Sequence, residues 1–243
     1  NTILKGETRM KKGGKVKVVV ITLVLSLVLS ANLLWSFEKT HPAEHQSAQP
    51  VISADETLTK LVAANQRYVS GKMTARDLPA RRGELLKGQQ PSAVVLTCSD
   101  SRVPPELIFD QGLGDIFVIR VAGNVADPVA LGSIEYAVEH LNVPLIIVMG
   151  HDKCGAVSAT VAGGKPEGNI GSIVEKIAPA VGKARAAGKT GDELLDAAII
   201  ENVRNVTAGL TRDSAVIKHL VEEKKLKIVA AKYSLSSGKV DWL

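Results

Sequence analysis

Aromatic residues make up only 3% of this 243-residue chain, and cysteine occurs twice. Two cysteines cannot form a framework of disulfides, which excludes a small secreted scaffold stapled by cross-links. So few aromatic rings leave little to build a stacking platform for single-stranded nucleic acid. Strong charge of one sign is also missing from most of the chain: of the formal +5, residues 1–50 carry +4 and residues 51–243 only +1. A nucleic-acid binder needs its cations on the folded face that meets phosphate, whereas these flank an apolar segment. What the chain does have is 45% hydrophobic and 23% charged residues, the balance of a folded protein. Its length allows one domain or two small ones, and a single α/β domain of about 200 residues would be ordinary.

Twenty uncharged residues run from Val18 to Phe37, behind Lys11, Lys12, Lys15 and Lys17. As a helix they would rise about 30 Å, the thickness of the bilayer hydrocarbon. The lysines are expected to stay in the cytoplasm, which places everything after Phe37 outside it, in the periplasm or its equivalent. A cleaved signal peptide would use Val18 to Leu29 as its apolar stretch, with cleavage near Ser30 or Ala31. A retained anchor would use the whole run, with Trp35 and Phe37 at the interface. Met10, followed by two lysines, reads as a natural start. The expected organisation is a basic region over 1–17, a signal peptide or anchor over 18–37, a polar linker over 38–51 and a folded body over 52–243. His41 and His45 are read as solvated linker histidines, not as a metal pair.

Ser53 and Glu56 form a capping-box pattern that opens a helix, with Leu58, Leu61, Val62, Tyr68 and Val69 at helical spacing up to Gly71. Three short apolar runs, Ala93 to Thr97, Ile116 to Val121 and Leu145 to Met149, read as buried parallel strands. Helices are expected over Pro104 to Phe109, over Pro128 to Leu141 behind the capping Asp127, and over Ala156 to Ala162, Ser172 to Ala187 and Asp192 to Leu220. Leu226 to Tyr233 reads as a last strand. Strands alternating with helices predict an α/β fold with a mainly parallel sheet flanked by helices.

Both cysteines fall just past predicted strand ends. Cys98 opens Cys98-Ser99-Asp100-Ser101-Arg102, and the other lies in His151-Asp152-Lys153-Cys154-Gly155. The carboxyl ends of parallel strands share one edge, where ligands bind, so Cys98, His151 and Cys154 can converge. Two thiolates and an imidazole suit zinc, and three protein ligands leave the fourth tetrahedral position open, as in a catalytic site. Cys154 also precedes a helical stretch whose N-terminus favours a thiolate. His140 and His219 fall within helical patterns and read as structural. Asp100 could close the metal shell as a fourth ligand. Alternatively it could pair with Arg102 and remain an ionised acceptor beside the open position.

At these residues the chain resembles a β-class carbonic anhydrase of bacterial type, whose signature is Cys-x-Asp-x-Arg followed by His-x-x-Cys-Gly. The resemblance covers roughly residues 53–243, including Asn65 to Gly71, Cys98 to Gly114, Phe117 to Asn124, Gly132 to Val138, Val148 to Val157 and Glu201 to Val206. It implies one zinc ion per subunit on Cys98, His151 and Cys154, with Asp100 (a further ligand in a closed state) and Arg102 as the catalytic dyad. It further implies that Gln89 hydrogen-bonds substrate or product, that Phe117 and Tyr136 form the wall, and that the Gly155 amide lies beside the site. Gln89 and wall residues reach across a dimer interface in this family, so a homodimer or a dimer of dimers is implied. The implied activity is reversible hydration of carbon dioxide to bicarbonate and a proton. Two alternatives are a zinc hydrolase of carbonyl sulfide or carbon disulfide, and a non-catalytic zinc and bicarbonate module with Asp100 held on the metal. No nucleic-acid partner is expected, and a membrane is contacted through residues 18–37 if they are not cleaved. Ala122 and Val143 stand where some relatives carry larger residues, and the N-terminal segment is absent from most cytosolic members.

Overall fold

Strands that are apolar along their whole length need cover on both faces, and the architecture supplies it. The computed structural model describes residues 52–243. The basic region, the apolar segment and the linker with His41 and His45 lie outside the described residues. Among the described residues no helix is long and apolar enough to cross a membrane.

The three predicted parallel strands form as β1 (Ala93–Thr97), β2 (Ile116–Arg120) and β3 (Leu145–His151). β1 lies between the other two and pairs with both in parallel. β4 (Lys227–Tyr233) adds in parallel to β3, and β5 (Val240–Trp242), which the sequence pattern does not signal, turns back antiparallel on β4. The order is therefore β2-β1-β3-β4-β5. β1 and β3 are buried at every residue, as inner strands of a covered parallel sheet must be.

The helices are α1 (Ala54–Val69), α2 (Leu78–Glu84), the single turn α3 (Pro105–Ile108), α4 (Pro128–His140), α5 (Gly155–Ala162), α6 (Ile170–Ala186), α7 (Gly191–Asp213) and α8 (Ala215–Glu222). One sheet face, with Val94, Leu96, Ile146 and Val148, packs on Ile134, Val203, Leu210 and Ile217 from α4, α7 and α8. The opposite face, with Val95, Ile147 and Met149, packs on Leu61 of α1 and on Ile108 and Phe109. A third apolar cluster joins Cys98 and Cys154 to Val157, Ile177, Val181 and Ile199 of α5, α6 and α7. The candidate ligands thus sit where the carboxyl edge of the sheet meets a helical layer.

The capping signals act much as read. Ser53 Oγ accepts from the Glu56 N–H at 3.2 Å, and Asp127 Oδ1 accepts from the Ala130 N–H at 2.7 Å. Glu56 does not reach back to complete the box; it pairs with Lys60 one turn on. The single helix expected over Asp192 to Leu220 is corrected to two. Ser214 is extended between α7 and α8, accepts from the Ile217 N–H at 3.1 Å and donates to Glu135 Oε1 at 2.6 Å. A serine that caps the next helix and ties it to α4 outweighs an uninterrupted apolar pattern. α2 is a further addition to the elements expected: Asp77 caps it and Pro79 sits in its first turn.

Gly150 sets how closely α7 approaches β3. A Cβ there would lie 2.6 Å from Val203 Cγ2 and 3.4 Å from Ile199 Cγ2. Gly150→Ala therefore overpacks this contact and is expected to cost about 1–3 kcal/mol, read as a lower urea midpoint at unchanged slope. A midpoint equal to wild type would mean the contact yields freely.

Candidate metal centre

Cys98 lies one residue past β1, His151 is the last residue of β3, and Cys154 is the N-cap of α5. Because β1 and β3 are parallel neighbours, these residues meet at one edge. Their ligand atoms all lie within 4.8 Å of one another and all three residues are buried. Thr97 Oγ1 locks the two strand ends by donating to the Met149 carbonyl at 2.8 Å.

His151 is oriented for ligation. Its Nδ1 lies 2.8 Å from the Asp152 carbonyl, which can only accept, so Nδ1 carries the proton and Nε2 keeps its lone pair. Nε2 is fully buried and has no hydrogen-bond partner among the described residues. The Asp152 N–H donates to the Tyr233 carbonyl at 3.0 Å. Its carboxylate pairs with Lys232 at 3.2 Å, and Lys232 also meets Asp196 at 2.5 Å. The turn between His151 and Cys154 is thereby tied to β4 and α7.

The two sulfurs are joined by one hydrogen bond. The hydrogen bond from Cys154 draws the Cys98 thiol well below its ordinary value against the effect of burial, with further help from the Gly123 N–H. The same contact, with burial, pushes Cys154 up, although the N–H groups of Val157 and Ala156 at the start of α5 favour its thiolate. An imidazole lone pair and two cysteine sulfurs in a buried cluster form a donor set that fits zinc.

Asp100 stands beside the cluster but faces Arg102. Asp100 Oδ1 accepts from the Arg102 backbone N–H and from Nε, both at 2.9 Å, and Oδ2 accepts from Nη2 at 2.7 Å. These bonds, the side-chain ones first, hold the Asp100 carboxyl far below the usual carboxylate range despite partial burial. Oδ2 also lies 3.9 Å from His151 Nε2. An ionised acceptor is thus fixed at the rim of the cluster.

Arg120, at the end of β2, falls in the run Phe117 to Asn124 but is given no site role by the sequence, and it spans this loop. Its Nε donates to the Cys98 carbonyl at 3.2 Å and its Nη2 to the Asp100 carbonyl at 2.6 Å. Gly155 opens α5 directly after Cys154, and a Cβ there would meet nothing within 4 Å, so its face is open. The other expected substrate residues lie apart. Phe117 and Tyr136 pack on each other with ring centres 6.3 Å apart, and Tyr136 also meets His140 at 5.3 Å. Phe117 pairs in register with Val94, three residues before the end of β2, and Tyr136 is 49% exposed on α4. Gln89 is exposed in the segment leading into β1.

Comparison with known proteins agrees with this geometry. A family model described as carbonic anhydrase matches residues 93–240. Carbonic anhydrase 2 of Mycobacterium tuberculosis is 43% identical over 185 residues, covering 74% of this chain and 87% of that protein. A carbonic anhydrase of Pseudomonas aeruginosa is 34% identical over 188 residues, covering 69% and 82%. Among solved structures, the β-carbonic anhydrase CafA of Aspergillus fumigatus aligns with a TM-score of 0.62 at 27% identity, covering 76% of this chain and 90% of that one.

Proposed function

Given that this chain belongs to the β-class carbonic anhydrase family, we propose that Asp100 and Arg102 form its catalytic dyad and that Gln89, Phe117, Tyr136 and Gly155 shape its substrate site. The activity itself follows from the family: zinc-dependent, reversible hydration of carbon dioxide to bicarbonate and a proton. The observation that carries the site reading is the buried Cys98, His151 and Cys154 cluster with Asp100 tied to Arg102 at its rim. The named relatives are carbonic anhydrases, which favours this activity over hydrolysis of carbonyl sulfide or carbon disulfide.

Cys98, His151 and Cys154 would hold the metal. When bound in a site with an open position, zinc would supply a Lewis acid that lowers the pKa of water, to about 7 in the three-histidine carbonic anhydrase that is the standard example. The protein's own groups do the rest. Asp100 would accept a hydrogen bond from the attacking hydroxide, which keeps its proton, and so turn a lone pair of that oxygen toward the carbon. Arg102 holds Asp100 by two side-chain hydrogen bonds and so keeps this carboxylate from swinging inward as a ligand. The Gly155 N–H, at the positive end of α5, faces developing negative charge. Gln89 donates to an oxygen of the product, and the Phe117 and Tyr136 rings offer a nonpolar wall to a nonpolar gas.

We place Gln89, Phe117 and Tyr136 in the site of a partner subunit. Two features support a homodimer. β2 is an edge strand of the sheet, and the Phe117, Tyr136 and His140 rings lie beside it with Tyr136 half exposed. An open edge with aromatic residues beside it is a surface that proteins normally cover. Gln89→Ala is expected to lower kcat/KM roughly 10-fold or more, the value of one hydrogen bond to a charged group. Mixing it with Asp100→Asn subunits should restore one complete site in each mixed dimer, because the partner supplies the intact glutamine. No recovery on mixing would place Gln89 in its own subunit's site.

We also propose that residues 18–37 carry the enzyme out of the cytoplasm, as a cleaved signal or as an anchor, on the strength of the uncharged run behind four lysines. A phosphatase that needs disulfides, fused after residue 51, should be active in bacterial cells. An inactive but intact fusion would place the enzyme in the cytoplasm.

A further inference from the structure

We infer that Asn202, on α7, is a positioning residue for the metal centre, acting through Gly123 on the sulfur of Cys98. The inference rests on the reading of Cys98 as a zinc ligand. Gly123 is held at both ends. Its N–H donates to Cys98 Sγ at 3.3 Å, and its carbonyl accepts from Asn202 Nδ2 at 2.8 Å. Asn202 is 1% exposed, and its Oδ1 has no hydrogen-bond partner among the described residues. The bond to Gly123 is therefore the only one its amide makes there. A buried amide that is half satisfied carries a desolvation cost that leucine would avoid, so its presence calls for a role that leucine could not fill.

Gly123 explains why such a brace is useful. It lies in the 3₁₀ turn Ala122–Asn124 with φ 67° and ψ 20°, a left-handed conformation. A Cβ there would come within 2.6 Å of Ile177 Cδ1 and 3.2 Å of Ala156 Cβ, so only glycine fits. Glycine is also the residue whose backbone relaxes most readily. With α6 and α5 pressing on its Cα and nothing on its carbonyl, the turn could rotate its N–H away from the sulfur. Asn202 removes that freedom. The N–H···S bond draws electron density from the thiolate, and hydrogen bonds of this kind tune both ligand orientation and donor strength.

The test uses the full chain with cobalt(II) in place of zinc, so that absorption from thiolate to metal reports directly on the sulfurs. Asn202→Leu, which cannot hold the Gly123 carbonyl, is expected to move the thiolate-to-cobalt band to longer wavelength, as a sulfur relieved of a hydrogen bond is the easier to oxidise. It should also speed zinc transfer to a chelator, roughly 10-fold or more. Asn202→Ala, which removes the donor and adds no bulk, should move the band the same way and covers the case in which Asn202→Leu fails to fold. Asn65→Leu serves as the control for lost stability. Asn65 is a buried amide in α1 that bonds the Ile108 and Gly238 carbonyls and the Val240 N–H. Its band should stay at the wild-type position. An unmoved band in the Asn202 variants, or an equal shift in Asn65→Leu, overturns the inference. A wild-type protein with no thiolate-to-cobalt band would instead overturn the assignment of the ligands.

Discussion

Asp100→Asn is expected to keep its zinc and to lose carbon dioxide hydration by roughly 10²–10³-fold, the usual value of one oriented acceptor or donor at a reacting centre. The geometry shows why so small a change is severe. Oδ1 of Asp100 accepts two bonds from Arg102 and Oδ2 accepts one, while Oδ2 is also the atom that lies 3.9 Å from His151 Nε2. An asparagine amide must put its NH₂ group at one of these positions. At Oδ1 it would meet two donors, at Oδ2 only one, so the NH₂ turns toward the metal side. A donor then stands where an acceptor is needed, and it also opposes the Arg102 Nη2–H. None of this touches the three ligand atoms. Cys98→Ser separates the two roles, because a neutral hydroxyl replaces a thiolate ligand, and both zinc and activity should fall to background. Metal analysis and stopped-flow hydration on the two variants are decisive. Full activity in zinc-loaded Asp100→Asn would remove Asp100 from catalysis, and loss of its zinc would make it a ligand.

Asp110→Ala should destabilise the fold by about 3–5 kcal/mol, the cost of breaking a buried ion pair from one side. Asp110 is a fully buried carboxylate at φ 44°, just past α3. It accepts from Arg67 Nε of α1 at 2.6 Å, from Arg76 Nη1 at 2.7 Å and from Thr74 Oγ1 at 2.8 Å. Arg76 also donates to the Asp110 carbonyl. One residue thus fastens α1, the segment leading into α2, and the end of α3. Removing it strands Arg76, whose side chain is only 24% exposed. Burial alone would raise the Asp110 carboxyl, but the bonds from Arg76, Arg67 and Thr74 outweigh it and hold the group far below the carboxylate range. The sign of the pH dependence follows. A carboxyl lowered on folding contributes its full stability above the unfolded value of about 3.9, and loses it as pH falls toward the folded value. The gap between wild type and Asp110→Ala in urea denaturation should therefore be constant from about pH 7 to pH 5. Below about pH 4 it should narrow by roughly 1.4 kcal/mol per pH unit. A gap that does not change with acid would mean that Asp110 is not ionised in the folded protein.

Neither arginine partner of Asp110 is legible in the sequence. Arg67 and Arg76 lie 43 and 34 positions away, and one stands in a helix pattern, the other in a polar stretch. Both have the pattern of ordinary surface cations, and only the packing of α1 against α3 brings them to one carboxylate. β5 is hidden for a related reason. Three residues give no period of their own, and the strand exists because Asn65 accepts from the Val240 N–H and β4 offers an open edge. The break at Ser214 does carry a local signal, a serine able to cap, but an unbroken apolar spacing on either side masks it.

The candidate metal ligands are legible because parallel strands buried on both faces write themselves as plain apolar runs. The first polar residues after such runs must then fall at one edge of the sheet. Cys98 and His151 are placed by that rule alone, and Cys154 by the turn that follows. The same sequence set the family resemblance, the dyad motif and the charge held in residues 1–50. Only the tertiary structure decided what holds these groups in place. Arg120 on the carbonyls of Cys98 and Asp100, Asn202 on Gly123 and Gly123 on Cys98 Sγ join residues 20 to 79 positions apart. Hydrogen bonds across such distances leave no periodicity or spacing in a chain, since each partner is chosen by where the helices come to rest on the sheet.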